Sequence, residues 1–338
     1  MRVLATIGFS FSAGVFLAAL LPWNGWQLYA AGGVLLLALA WLFAARKQKY
    51  FRRGLLILLP LAVSLAYFAG YDHLVRQPIE DRCGAASDFT ATVCDWPQAT
   101  ERGARVTVEL EGYHRARAVL YGEAELLAAR PGDTVTGTAQ WQSAAHFDSD
   151  DVTHFNARGV YALLYGREDV RLSAGDGDAL RWLPQRAGKA FREKVAAIWD
   201  DPRVSGFLTA ELTGDKSAMD DGDYLAMQET GLAHLFAVSG LHCAFLVTLL
   251  ALLISRRQRL LCAVTIPLLL FYMVMVGMSP SVVRACIMQI FLLIAPLFRR
   301  GSDPLTSLAA ALLVILLCNP FAAASVSLQL SFSATLGM

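Results

Sequence analysis

The chain has 338 residues, of which 56% are hydrophobic and 17% charged, and its formal net charge is +1. Soluble domains carry roughly a quarter charged residues, so this composition excludes an ordinary soluble globular protein. The small net charge gives no overall argument for binding nucleic acid, and any such argument has to come from the local distribution of charge.

The apolar residues are concentrated in long uninterrupted runs, which predict membrane helices. Most of the runs reach the roughly 20 residues that an α-helix needs to cross the hydrocarbon core. In chain order they are Val3–Leu21, Gln27–Ala45, Leu55–Tyr71, Leu232–Ser255, Leu260–Met278, Val282–Phe298 and Pro304–Cys318. The first run follows Met1-Arg2 and is also compatible with a secretory signal, and the short last run predicts a tilted or partly re-entrant helix. The other runs predict a multi-pass membrane protein in either case.

Basic residues between the apolar runs predict the orientation of the chain, because Lys and Arg beside membrane helices mark the cytoplasmic side. They form three clusters, Arg46 to Arg53, Arg256 to Arg259 and Arg299-Arg300. All three clusters agree with one orientation, in which Met1 is cytoplasmic and the chain from about Asp72 to Gly231 lies outside the membrane.

The first half of this outside segment changes to the alternating pattern of β-strands. The predicted strands are Asp88–Val93, Ala104–Leu110, Arg117–Tyr121 and Thr134–Trp141, separated by turn sequences at Glu101–Gly103 and Pro131–Asp133. About five short strands between Ser87 and Leu172 favour a small OB-like barrel, a fold that often binds oligonucleotides but also serves as a scaffold. The fold class is therefore an α-helical polytopic membrane protein with an inserted all-β barrel.

The same patterns divide the chain into four predicted regions. These are a three-helix membrane region at 1–71, the external barrel at 72–180, an amphipathic helix with its connector at 181–213, and a membrane channel domain at 214–338. Within the third region, Gln185–Trp199 combines basic residues with an apolar, partly aromatic helical face. This combination favours a helix on the membrane surface, and the alternative is a helix packed against the membrane bundle.

Basic and aromatic residues lie close together in the predicted barrel. The DNA-binding candidates are Arg102, Arg105, Tyr113, Arg115 and Arg117. Such groups suit a single-strand groove, because the charges follow phosphates and the rings stack on bases. Glu101, Glu109 and Glu111 are interleaved with them, so an ordinary solvated sheet face is the alternative.

Cysteine positions agree with the predicted orientation. Cys83 and Cys94 are the cysteines of the outside segment, where disulfides persist, and they are candidates for a disulfide. The other four lie in apolar runs and are interpreted as small buried residues. Their spacing does not indicate zinc, so no metal or cofactor is predicted.

Polar residues interrupt the chain near and within the fourth apolar run. They are Asp215, which follows Gly214, and then His234, Ser239, Gly240 and His242. Polar groups at membrane depth need partners and usually face the bundle interior or an aqueous cavity. Three interpretations are open: a pore-lining or gating site, a packing site, or a Ser-His hydrolase. The hydrolase lacks the GxSxG elbow and a well-placed acid.

A second polar group lies at the start of the sixth run. Ser279 is a candidate N-cap, Pro280 suits the first helical position, and Arg284 follows one turn later. The arginine either extends to the membrane surface or faces the bundle, where it could meet an anionic substrate. The free amides of a helix N-terminus also favour a phosphate.

At these residues the sequence resembles the ComEC competence family. The resemblance covers essentially the whole chain, because its motifs occur in order on the expected segments. They are Gly214-Asp215, Gly231 to Leu235, Ser239 to His242, Pro280-Ser281, Arg284-Ala285, Asn319-Pro320 and Leu328 to Ala334, with Phe147-Asp148 and Arg158 to Val160 in the barrel region.

The resemblance implies a channel in the bacterial inner membrane that passes single-stranded DNA into the cytoplasm during transformation. It implies a path that includes Asp215, His234, Ser239, Gly240, His242, Ser279, Arg284, Gln329 and Ser331. Implied partners are DNA, the lipid bilayer, and competence proteins such as a DNA receptor and a cytoplasmic helicase or single-strand-binding protein. The competing hypothesis is a small-solute or ion transporter with a structural barrel.

The sequence also departs from the family pattern. Members usually continue through more membrane helices into a metallo-β-lactamase-like domain, whereas this sequence ends at Met338 and has no HxHxDH cluster. We therefore expect an N-terminal fragment or truncated product without catalytic activity.

Overall fold

A computed structural model describes residues 3–21, 26–44, 51–101, 103–113, 116–147, 154–167, 169–175, 179–215, 219–230, 240–254, 257–298 and 303–337. The chain forms two compact units, one of Met1–Gly177 with Leu308–Met338 and the other of Asp178–Ser307. The four regions predicted from the sequence remain a prediction beside this division.

Helices account for most of the described chain. They are α1 Val3–Leu20, α2 Trp26–Ala44, α3 Phe51–Tyr71, α4 Gln77–Glu80, α5 His154–Ala157, α6 Leu183–Ile198, α7 Pro202–Thr213, α8 Asp221–Glu229, α9 Gly240–Ile254, α10 Gln258–Met275, α11 Pro280–Ile294, α12 Pro304–Cys318 and α13 Val326–Gly337. The strands are β1 Ala86–Val93, β2 Gln98–Thr100, β3 Gly103–Leu110, β4 Arg117–Gly122, β5 Thr134–Ser143, β6 Val160–Gly166 and β7 Arg171–Ser173.

The apolar runs form the expected membrane helices. Within the described residues, four helical stretches are long and apolar enough to cross a membrane: Val3–Leu20, Arg53–Glu80, Gln258–Met275 and Pro280–Phe298. Three shorter apolar helices are Trp26–Ala38, Gly240–Ile254 and Pro304–Cys318. The predicted helical membrane class is confirmed.

Small residues let the helices of the first unit approach closely. A Cβ atom added at Gly14 of α1 would lie only 1.9 Å from the Ser64 hydroxyl of α3, and one at Gly8 would lie 2.8 Å from the carbonyl of Ala309. Small residues at helix crossings are typical of membrane bundles, where association depends on close packing. Helix α3 then continues through a π-helical turn, Asp72–Arg76, into α4.

The strands form a closed five-stranded barrel. Strand β1 pairs with β3, β3 with β4, β4 with β6, β6 with β5, and β5 returns to β1. The β4–β6 pair is parallel and the others are antiparallel, while β2 and β7 extend β3 and β5. This Greek-key closure removes open edges and confirms the OB-like barrel.

The sequence located four of the five barrel strands and missed the bounds of β6. In the four predicted strands, buried residues alternate with more exposed ones. In β6, the residues from Val160 to Leu164 are all buried, so both faces are covered and no alternation appears. A strand buried on both faces reads as a continuous apolar run.

Helices α9, α10 and α11 form the core of the second unit. Cys243, Leu269, Val282 and Cys286 are among its fully buried residues, and the Cys243 and Cys286 sulfurs lie 3.5 Å apart. Cys243, Cys262 and Cys286 therefore occupy the buried positions that their apolar surroundings predicted. The same prediction is wrong for Cys318, which is exposed because it ends α12.

Helix α6 packs against α10 through its smallest residue. A Cβ atom at Gly188 would lie 2.8 Å from the carbonyl of Met275. Leu183, Phe191 and Ile198, at helical spacing, remain exposed beside this buried strip. The helix thus has a packed face and an exposed apolar face, and its location on the membrane surface remains a prediction.

Candidate nucleic-acid interface and membrane path

Three side chains form a row across the outer surface of the barrel. In the strand register, Arg105 of β3 lies opposite Tyr121 of β4, and Tyr121 lies opposite Tyr165 of β6. The two tyrosine rings stack with centroids 5.2 Å apart and planes inclined by 13°. Arg105 is exposed and both tyrosines are partly buried, so solvent reaches the row. We call Arg105, Tyr121 and Tyr165 the aromatic row.

A neighbouring amide fixes the guanidinium of the aromatic row. Arg105 donates from Nε and Nη2 to the Gln98 side-chain oxygen on β2, at 3.1 and 2.8 Å. These bonds use two of the five N–H donors of an arginine. The positive charge is therefore oriented while donors remain for an anionic ligand.

The ionisation of Tyr165 is also affected by its position. Burial, followed by the proximity of Tyr121, raises the pKa of Tyr165 above its ordinary value. The phenol stays neutral at physiological pH, so the stacked pair presents uncharged rings.

The other predicted barrel residues are distributed differently. Arg117 is exposed at the opposite end of β4, facing Glu109 across the strand pair. The Tyr113 ring packs near the buried Trp141, with centroids 6.4 Å apart, and the Arg82 guanidinium lies 5.2 Å from its centre. Arg102 and Arg115 lie outside the described residues. Among the DNA-binding candidates that the structure describes, Arg105 is the one that belongs to the aromatic row.

The sequence analysis missed Tyr165, although a signal was present. Leu120-Tyr121-Gly122 ends β4, and Leu164-Tyr165-Gly166 ends β6, so the same tripeptide closes both parallel strands. Repetition at matching strand ends brings the two rings into register. Recognising it required knowledge that β4 and β6 are neighbours, which local alternation does not supply.

The predicted Cys83–Cys94 disulfide is wrong, because both residues are free thiols in the structure. Strand β1 runs between them for eight residues and separates them by roughly 25 Å at the usual rise per residue. A disulfide requires Cα atoms within about 7 Å. Burial, as the main cause, raises the pKa of each thiol to about 11, so both stay protonated and poorly reactive at neutral pH.

In the second unit, Asp215 joins two helices. Helix α7 ends at Gly214, whose positive φ of 74° gives the left-handed C-cap that glycine adopts without strain. The Asp215 carboxylate then pairs with the Arg192 guanidinium of α6, with Nε and Oδ2 3.3 Å apart. This pairing gives the residue a structural role that its sequence neighbourhood did not indicate.

The first turn of α9 meets the second turn of α11. A Cβ atom at Gly240 would lie 3.5 Å from the Cβ of Ala285, which is ordinary contact, and the sulfurs of Cys243 and Cys286 lie 3.5 Å apart. His242 and Arg284 are each adjacent in sequence to one of these contact residues, and both are partly buried. The structure therefore places His242 and Arg284 at the same end of this helix pair, while His234 and Ser239 lie outside the described residues.

Ser279 and Pro280 occupy the predicted positions at the start of α11. Ser279 is the N-cap residue and Pro280 begins the helix. In the described part of the chain, the Ser279 hydroxyl makes no capping bond. The polar groups at this helix start are thus the hydroxyls of Ser279 and Ser281, the first-turn amides and the Arg284 guanidinium.

Gln329 and Ser331 belong to α13 of the first unit. Gln329 donates from Nε2 to the Ala323 carbonyl at 2.9 Å, which closes the turn before α13. Ser331 is partly buried, and its carbonyl accepts a bond from the Thr335 hydroxyl. The predicted path residues are therefore shared between the two compact units.

Apolar helices carrying a closed OB-like barrel define a multi-pass membrane protein with one small β-domain. Residues 212–338 match the family described as Competence protein. The chain is also 31% identical over 140 residues to ComE operon protein 3 of Bacillus subtilis (strain 168), a stretch that covers 40% of this chain and 18% of that protein. Both matches support the resemblance to the ComEC competence family that the sequence motifs indicated. No solved structure matches it.

The ion pair between Arg192 and Asp215 generates a testable prediction. Replacing either residue with alanine should lower the free energy of unfolding by about 1 kcal/mol, and the swap Arg192→Asp with Asp215→Arg should recover most of it. Urea unfolding of the purified protein in detergent measures this effect. If the single variants are as stable as the parent, Asp215 does not act through Arg192.

Proposed function

We propose that the chain forms part of an inner-membrane channel that moves single-stranded DNA into the cytoplasm during natural competence. Similarity to the competence family and to ComE operon protein 3 supports a role in DNA uptake. The observation that carries the proposal is the aromatic row, which lies on the closed OB-like barrel.

The chemistry of the aromatic row suits a single strand better than a duplex. Stacking on an aromatic side chain contributes about 1–3 kcal/mol per base, and every base offers a ring face, so the interaction tolerates any sequence. In a duplex the base faces are already stacked on each other. Arg105, oriented by Gln98, supplies the charge that follows the phosphate backbone.

The position of the row supports first contact with incoming DNA. Strand β6 begins beside the membrane helices, where the Tyr161 hydroxyl lies 3.3 Å from that of Tyr71 on α3. Tyr165 follows four residues later, about 13 Å further along the strand. We place this far end of the barrel outside the inner membrane, as the basic loops favour.

Within the membrane we propose that His242 and Arg284 line the polar path. They share one end of the α9–α11 pair, and the start of a helix offers amides and a positive dipole end to phosphate. The resemblance to the family assigns Asp215, His234, Ser239, Gly240, Ser279, Gln329 and Ser331 to the path as well. A DNA receptor outside and a helicase or single-strand-binding protein inside are the proposed partners.

The aromatic row predicts a stacking effect on DNA affinity. Tyr165→Ala should weaken binding of single-stranded DNA to the purified chain roughly tenfold, while Tyr165→Phe keeps the ring and should bind as the parent does. Arg105→Ala should reduce the slope of log affinity against log salt by about one, because one phosphate contact is lost. Fluorescence anisotropy with a labelled oligonucleotide measures both quantities. Unchanged binding by Tyr165→Ala would leave the barrel as a scaffold and favour the solute-transporter alternative.

The proposed function itself is tested by uptake in cells. A clean deletion should abolish entry of labelled DNA into the cytoplasm, because the inner membrane then lacks its path, while DNA still binds outside that membrane. The full-length gene should restore entry. Normal internalisation in the deletion strain would contradict the proposal.

A further inference from the structure

The turn between α12 and α13 is bonded to the barrel through one side chain, Asn319. Its Nδ2 donates to the carbonyls of Asn156 and Ala157, at 2.9 and 3.1 Å. Its Oδ1 accepts from the Phe321 amide at 3.0 Å and from the Tyr161 hydroxyl at 3.5 Å. The amide therefore uses both donors and both lone pairs.

The barrel side of these bonds is the loop between β5 and β6, which ends with α5. OB-like barrels commonly use this loop together with the loop after the first strand to hold ligands. Here the backbone carbonyls at its end are directed to Asn319, and Asn156 is only 1% exposed. In this chain, that part of the loop fixes the barrel to the membrane helices.

Packing supports the same contact. Phe321 follows Asn319 in the short 3-10 helix Pro320–Ala324 and is fully buried. Its ring meets Phe68 of α3 edge-on, with centroids 5.3 Å apart, and Tyr161 of β6 at 5.9 Å. The turn between α12 and α13 is thus packed between α3 and the barrel.

A second attachment holds the barrel at a separate point. The Ser143 hydroxyl at the end of β5 donates to Glu80 of α4 at 3.1 Å. Glu80 in turn pairs with Arg76, with the two charged atoms 3.0 Å apart. A body held at one point can rotate about any axis through that point, whereas a second point leaves rotation about only one axis.

We propose that Asn319 is a positioning residue, which fixes the orientation of the barrel on the α12–α13 turn, and that DNA entry requires this orientation. The second half of the proposal rests on the proposed function. The first half depends on the contacts alone. The hydrogen bonds from Asn319 to Asn156 and Ala157 join the barrel to the segment that matches the competence family, since Asn319 lies within residues 212–338.

The substitution Asn319→Asp separates the role of the side-chain oxygen, which accepts hydrogen bonds, from the role of the side-chain nitrogen, which donates them. An aspartate keeps the oxygen that accepts from the Phe321 amide, and aspartate is itself a preferred N-cap residue. It loses both donors, so a carboxylate oxygen would face the carbonyls of Asn156 and Ala157. The short helix should remain, and the barrel should rotate more freely about its remaining attachment at Glu80.

The matched control is Ser325→Ala. Ser325 lies in the same turn, and its hydroxyl accepts from the Leu328 amide at 3.4 Å, within the membrane part of the unit. This variant therefore loses a capping bond without affecting the barrel contact.

The measurement is the distance distribution between spin labels at Glu109 on β3 and Ser333 on α13, in the whole chain with its six native cysteines replaced. The parent and Ser325→Ala should give one narrow distribution, and Asn319→Asp a broad one. Acidification from about pH 8 to about pH 5 should narrow the distance distribution of Asn319→Asp again. Repulsion by the carbonyls raises the pKa of the new carboxyl group, and its protonated form can donate a hydrogen bond to one of them. A collapsed fold would not recover in this way.

DNA entry is then measured with the same substitutions in the full-length gene. Asn319→Asp should reduce entry at least tenfold at normal membrane levels, and Ser325→Ala should leave it unchanged. A narrow distance distribution in Asn319→Asp would show that Asn319 does not position the barrel. A broad distance distribution together with normal DNA entry would show that entry does not require a fixed barrel. Normal entry in the deletion strain would refute the proposed function and the second half of this proposal, while leaving the distance result intact.

Discussion

The pairing of Arg76 with Asp72 and Glu80 determines how the chain passes from the membrane into the barrel. Arg76 and Asp72 are largely buried, and such charges are tolerated only when they are paired. The pairs follow the π-helical turn that continues α3 into α4, and wide turns of this kind are frequent at functional positions. Because Glu80 also accepts from Ser143 at the end of β5, the same group of charges connects this helix to the barrel.

The membrane class and most of the barrel could be predicted because each rests on a local periodic pattern. Long apolar runs became helices, and alternating residues became β1, β3, β4 and β5. Strand β6 lacked alternation because Tyr161 is buried against the membrane helices on one side while its neighbours fill the barrel on the other. The residue pattern within a strand does not show which of its faces another helix or strand will cover.

The site was less predictable because its members come together through strand order and helix packing. Arg105 was found from its charge, but its partner Tyr165 lies 60 positions away and is brought near by the parallel β4–β6 pairing. Asp215 was assigned to the path from its neighbours, whereas its partner Arg192 lies on another helix. The Cys83–Cys94 prediction failed for the related reason that closeness in sequence is not closeness in space across an extended strand.

The proposed channel requires that DNA passes His242 and Arg284. It is tested most directly by placing a photoreactive residue at each position in cells that are taking up labelled DNA, with Leu252 as a control on the exposed apolar face of α9. Passage of DNA beside these residues should give cross-links between the protein and a single DNA strand at positions 242 and 284, and none at 252. Continued DNA entry without a cross-link at either polar position would contradict it.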